Sequence, residues 1–135
     1  VKALFNAIYS KWNSSVKDSV SGITCKLYNT EANPDASYPY CVMTIVSDVE
    51  NGTLTEVIED NLIQFAVYDD SSTAENVLDI FEAVKSAFDF EDLTVTGYKS
   101  IGTDRVGGAN LTKITEEGSN YWQLICQYRI RIEEN

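Results

Sequence analysis

Gly102 and Gly107 stand five positions apart, the first spacing of a phosphate-cradling loop. They lie in YKSIGTDRVGGANLTK, positions 98 to 113, with Gly108, Arg105 and Lys113. Such a loop needs a lysine and then a serine or threonine directly after its second glycine, to reach the phosphates and a bound magnesium. Gly108 and Ala109 occupy those places. The segment follows a strand pattern without opening a helix, so no helix N-terminus is offered to an anion. The spacing therefore reads as a glycine-loosened contact loop, with Arg105 as an exposed cation at its tip. Its expected partner is a carboxylate on a neighbouring subunit; the plain alternative is an acid on its own chain.

Other chemistry is thin. The chain has no histidine, which removes the commonest general base near neutral pH and the usual nitrogen ligand of metals. The cysteines, Cys25, Cys41 and Cys126, are odd in number, lack metal spacing and sit among apolar residues. They read as reduced core thiols. Glu59-Asp60, Asp69-Asp70, Glu91-Asp92 and Glu116-Glu117 are acid pairs able in principle to hold a divalent cation, but none follows the calcium-loop pattern. Solvated turn carboxylates explain them more simply. Asn13, Asn51 and Asn110 head N-x-S/T patterns, which matter only in a secreted chain. No catalytic, cofactor or metal site is assigned, and the chain is not expected to be an enzyme. The one enzymatic alternative is a small carboxylate- and metal-dependent one.

Composition narrows the partners. The 135 residues fit one domain, residues 1–135, large enough to bury a core without staples. Net charge is −11, from 21 acids against 10 bases, so sequence-specific nucleic-acid binding is not expected, because phosphate contact needs a basic footprint. No apolar run approaches the roughly 20 residues that span a bilayer, so no membrane role is expected. Thirteen acids and one base, Lys85, fall between Asp48 and Asp92. That block suggests one acidic face.

The elements that must carry these residues follow from periodicity. Leu4, Phe5, Ile8, Trp12 and Val16 form one stripe of a helix over 2–17. ITCKL, 23–27, alternates as a short strand, and a polar loop over 29–39 leads into the apolar strand 40–49. Asn51-Gly52 signals a hairpin turn. The returning strand runs over about 55–68, with a bend or bulge expected near Asp60-Asn61. Ser72 and Glu75 match a capping box, and Ala74, Val77, Leu78, Phe81, Val84 and Phe88 trace the buried face of a helix over 73–88. Glu82 and Lys85 are placed for an exposed i,i+3 pair. Strand 93–100, a loop over 102–108, a further strand over 109–117 and a strand over 121–133 complete the chain. In the last strand Trp122, Leu124, Cys126, Tyr128, Ile130 and Ile132 share one face.

Two helices cannot cover both faces of such a sheet. The expected fold is α+β: a mainly antiparallel sheet of five to six strands with two helices packed on one face. The helix-free face is then partly solvated or a contact surface. Arg129 and Arg131 fall on it, paired with acids either within the sheet or across a subunit boundary, the boundary being favoured.

Taken together, ITCKLYN, the polar loop, SYPYCVMTIV, NLIQFAVYDD, STAENVLDIFEAVKSAF, VGGANLTK and YWQLICQYRIRIE resemble the tail completion or tail terminator proteins of long-tailed bacteriophages and prophages, over roughly residues 1–133. The resemblance rests on layout and soft features, not on a catalytic fingerprint. It implies a structural virion assembly protein that forms a hexameric ring on the tail tube, stops its growth and joins it to the head connector. The implied partners are further copies of the chain, the tail tube protein and the head connector protein, with no cofactor. The implied location is the virion tail, reached from the bacterial host cytoplasm. By the same analogy the hairpin around 49–54, with Glu50, Asn51 and Gly52, and the 101–110 loop, with Arg105, Val106, Gly107 and Gly108, are contact candidates beside Arg129 and Arg131. An acidic lumen in such a ring would repel DNA and ease its passage. Another head–tail connector component or tail assembly protein is the alternative.

Overall fold

The computed structural model describes residues 2–52, 57–116 and 118–134. The described elements are helix α1 (Lys2–Ser15), strands β1 (Lys26–Asn29), β2 (Tyr40–Gly52) and β3 (Val57–Asp69), helix α2 (Glu75–Phe88), and strands β4 (Tyr98–Glu116) and β5 (Ser119–Glu134). The strands form one sheet in the order β1-β2-β3-β5-β4. Only β1 pairs in parallel, against β2; the other three ladders are antiparallel. The fold is α+β with a mixed, mostly antiparallel sheet.

The core forms between helices and sheet because each contributes one apolar stripe. α1 buries Leu4, Ala7, Ile8 and Trp12; α2 buries Val77, Ile80, Phe81, Val84, Ala87 and Phe88. Against them stand Ile63, Phe65 and Val67 of β3 and Leu124, Cys126, Tyr128, Ile130 and Ile132 of β5. Phe65 sits centrally, with ring centroids 5.5 Å from Trp12, 5.2 Å from Phe88 and 6.0 Å from Tyr128. Truncating such a ring costs about 3–5 kcal/mol, because the cavity is added to the lost transfer energy. Trp12 Nε1 donates to the Cys25 carbonyl at 2.8 Å, tying α1 to the segment that enters β1. All three cysteines are free and buried, as their surroundings in the sequence suggest.

Several expectations need correction. The first strand lies at Lys26–Asn29, later than 23–27. No capping box forms: the N-cap of α2 is Ala74 without a side-chain bond, while Ser71 donates to the Asp69 carboxylate and to the Thr73 carbonyl. Asp69, buried at the end of β3, attracts that hydroxyl and the Asn76 amide, at 3.1 Å. Leu78 is 44 % exposed and Ile80 takes its place in the stripe. The ladder of β2 and β3 continues through the Asn51-Gly52 turn signal to Gly52 opposite Val57; residues 53–56 lie outside the described residues. β3 shows no register shift at Asp60-Asn61. The shift is on β2, where Val46 lies between Ile45, paired with Ile63, and Ser47, paired with Leu62. An extra residue is displaced there as a β-bulge, leaving Val46 50 % exposed.

The largest correction concerns 93–117. Residues 93–97 are not strand; β4 begins at Tyr98 and runs through the supposed loop to Glu116. Backbone pairing to β5 supplies the order that composition did not reveal, and two register shifts absorb the awkward residues. Ile101 is extra between Ser100 and Gly102. Residues 107–109 stand opposite the lone Cys126 between the pairs Val106–Gln127 and Asn110–Ile125. Gly107 has φ +69°, a conformation that costs an L-residue roughly 1–2 kcal/mol. The glycines therefore build a bulge in an edge strand, a device that also discourages edge-to-edge pairing.

The acidic block does not form one face. Asp60 lies on the helix-free side against Arg129, 3.0 Å away. Asp79 and Glu82 are on the exposed surface of α2, across the sheet from it, with Glu82 2.7 Å from Lys85. Strand alternation and the helix layer split neighbouring acids between opposite sides.

Candidate interaction surface

The helix-free face of the sheet is assembled by register. Across it run Tyr40, Tyr68, Gln123 and Thr112; then Val42, Ala66, Ile125 and Asn110; then Thr44, Gln64, Gln127 and Val106. Polar groups in these rows find each other: Gln123 donates to the Tyr68 hydroxyl at 3.0 Å and Gln127 to Gln64 at 3.2 Å. What remains between them is an apolar strip of half-buried Val42 and Ile125 around the buried Ala66.

Arg129 and Arg131 close the far end of this face. Arg129 meets Asp60 at 3.0 Å and Arg131 meets Asp104 at 3.3 Å. Their charges are thus balanced within the sheet, the less favoured of the two readings. Cross-strand proximity is enough to explain this, since Asp60 faces Arg131 across one ladder and Asp104 faces Arg129 across the next. Val106 and Arg129 share a depression of about 180 Å³ with Ser47, Asp60 and Leu62.

Arg105 is on the other side. It pairs with Tyr128 in the β4–β5 ladder, a core-facing position. Its guanidinium lies 5.5 Å from the Phe81 ring centre and 3.6 Å from the Asp89 carboxylate. It is not an exposed tip cation; its partner is an acid on its own chain. Gly107 and Gly108 lie in the exposed bulge next to it. Glu50, Asn51 and Gly52 belong to the distal end of β2, in register with Glu59, Ile58 and Val57. The structure thus brings Val106, Arg129 and Arg131 onto one face, places Arg105 on the opposite one, and keeps the β2 end apart.

Sequence reasoning missed a cluster of tyrosines at the opposite end of the helix-free face. β1, β2, β3 and β5 each contribute one, Tyr28, Tyr40, Tyr68 and Tyr121, and Tyr38 joins them from the loop before β2. Ring centroids are 5.2 Å apart for Tyr38–Tyr40, 5.3 Å for Tyr40–Tyr68, 6.0 Å for Tyr68–Tyr121 and 6.3 Å for Tyr38–Tyr121. Burial, with the nearby Tyr38 phenol adding to it, pushes the Tyr40 hydroxyl from 10.0 up to about 12. Four of these rings line an open depression of about 590 Å³ whose rim carries Glu31 and Glu116. The available signal was the tyrosine count, eight in all, but five positions between 28 and 121 converge only once strand order is known.

Phe90, just past α2, is 84 % exposed with φ +58°. Its backbone N–H is held by the Thr103 carbonyl at 3.0 Å. Among the described residues, no three cysteine or acidic side chains converge as a metal-binding group, and no helix is long and apolar enough to cross a membrane. Glu59-Asp60, the acid pair inside a strand, puts its members on opposite faces by alternation.

No family model and no curated protein matches the chain. Among solved structures, the fold is similar to a chain of "Virion of native gene transfer agent (GTA) particle", with a TM-score of 0.72 and 16 % identity over 98 % of this chain and 96 % of that one.

Proposed function

We propose that this chain, acting as a single domain, is a structural protein of a phage-like virion that caps the tail tube as a ring and joins it to the head connector. The observation that carries the reading is the end-to-end fold likeness to a chain of a gene transfer agent virion, which leaves almost no residue of either chain unmatched. The tail terminator resemblance of the sequence points the same way. On this reading the protein is not an enzyme, and its partners are its own copies, the tail tube protein and the head connector protein. It assembles in the bacterial host cytoplasm and ends in the virion tail.

A ring needs two different surfaces that meet head to tail and close by rotation. The part of the helix-free face that runs from its apolar strip to the internally paired arginines is one such surface, and it leaves the tyrosine end of that face outside the contact. The bulge at Val106, Gly107 and Gly108 and the distal end of β2 at Glu50, Asn51 and Gly52 lie in different parts of the sheet and supply others. Internal pairing of Arg129 and Arg131 lowers the cost of burying them, because neither charge is left unmatched on docking.

Native mass spectrometry over a concentration series tests the reading, followed by electron microscopy of any oligomer. A closed ring, with a hexamer mass of about 90 kDa from 15.1 kDa subunits, is expected. A stable monomer that also fails to bind tail tubes would move the assignment to another connector or tail assembly component.

A further inference from the structure

We infer that the tyrosine-walled depression is a docking site for an arginine-bearing segment of a partner protein. The inference does not depend on ring formation, since the site lies at the opposite end of the helix-free face from Arg129 and Arg131. Three features select this occupant. The walls are aromatic: Tyr38, Tyr40, Tyr68 and Tyr121 form a closed circuit in which each ring lies 5.2–6.3 Å from the next. Ring faces carry negative electrostatic potential and attract a planar guanidinium, which can also stack on them. Carboxylates complete the rim: Glu31 comes from the loop after β1 and Glu116 from the end of β4, and among the described residues no lysine or arginine lines the depression. A net charge of −11 adds long-range attraction for a basic partner.

The arrangement is also prepared in advance. Tyr121 donates to Glu116 Oε1 at 3.4 Å, and Tyr68 accepts from Gln123, so the two phenols are oriented by their own chain. Rigid, pre-oriented tyrosines meeting an arginine are what protein interfaces concentrate at their energetic centres, because little side-chain freedom is lost on contact.

Selective ¹³C labelling of tyrosine rings makes the site observable in the full chain. The probe is a capped Gly-Arg-Gly-Arg-Gly peptide, with the same peptide carrying neutral citrulline for arginine as comparison. Saturable shifts are expected for Tyr38, Tyr40, Tyr68 and Tyr121, with Tyr9 and Tyr98 unmoved. Binding should weaken about three- to fivefold with citrulline, and by a similar factor in the Glu31→Gln/Glu116→Gln double variant. Both changes are isosteric and at surface positions, so folding is preserved. Absence of saturable shifts would overturn the inference. So would equal response to citrulline, or shifts shared equally by Tyr9, which would mark diffuse attraction to an acidic protein.

Discussion

The Asp89 carboxylate joins two elements of the sheet to the end of α2: Tyr128 donates to Oδ1 at 2.5 Å, and the Arg105 guanidinium lies 3.6 Å from Oδ2. The two contacts are unequal. Tyr128 is fully buried and has no water to replace a lost acceptor, whereas Arg105 is partly solvated. Asp89→Ala should therefore cost about 1–3 kcal/mol, and Arg105→Ala about 0–1 kcal/mol. Urea denaturation of both variants checks the order. A greater loss from the arginine change would show that the ion pair, not the phenol bond, is the main tie.

Alkaline pH should destabilise the fold in a defined window. Burial pushes the Cys25 and Cys126 thiols from 9.0 to about 12, and Cys41 well above 9.0. Burial and then the Asp89 bond also raise the Tyr128 hydroxyl. Each group is neutral in its favoured form, and its folded value exceeds its unfolded one. The stabilisation is complete below the unfolded values and is lost as pH rises, because the unfolded chain then releases protons first. Guanidinium midpoints measured under reducing conditions should hold steady from pH 7 to about 8.5, then fall progressively towards pH 11. A midpoint that stays flat across that upper range would contradict the buried, neutral state of these groups.

Gly107 and Gly108 are adjacent but not equivalent. Neither has a neighbour within 4 Å of an added Cβ, yet only Gly107 has positive φ. Gly107→Val should cost about 1–2 kcal/mol or more through backbone strain, and Gly108→Ala less than about 0.5 kcal/mol. Equal losses in thermal denaturation would mean that the segment is packed in a way the bulge does not provide.

Phe90 combines a left-handed backbone with a side chain that is almost wholly solvated. Phe90→Asn should be neutral or stabilising by up to about 1 kcal/mol, since asparagine tolerates this conformation better. A loss above that size, read from chemical denaturation, would reveal burial that the isolated chain does not show.

Legibility in the sequence followed the reach of each signal. Strand β5 and the stripe of α1 were readable because alternation and 3.6-residue periodicity are local and uninterrupted. The exchange of Leu78 for Ile80 was not, because both fit a broad helical stripe and only the packing partner decides. Strand β4 was misread because Gly102, Gly107 and Gly108 look like loop residues when the β5 ladder that orders them is unseen. The partners of Arg105, Arg129 and Arg131 depend on which acid lies across a ladder. The tyrosine cluster was hidden for the same reason, since it needs the order of four strands and the position of a loop.

The proposed role as tail-tube cap is tested most directly by deleting this gene from the genome that carries it and imaging the particles released. Tail lengths and head attachment would be scored by electron microscopy, with the gene supplied in trans as control. The account predicts headless tails of variable, excessive length, restored to normal by the supplied gene. Tails of normal length joined to heads in its absence would contradict it.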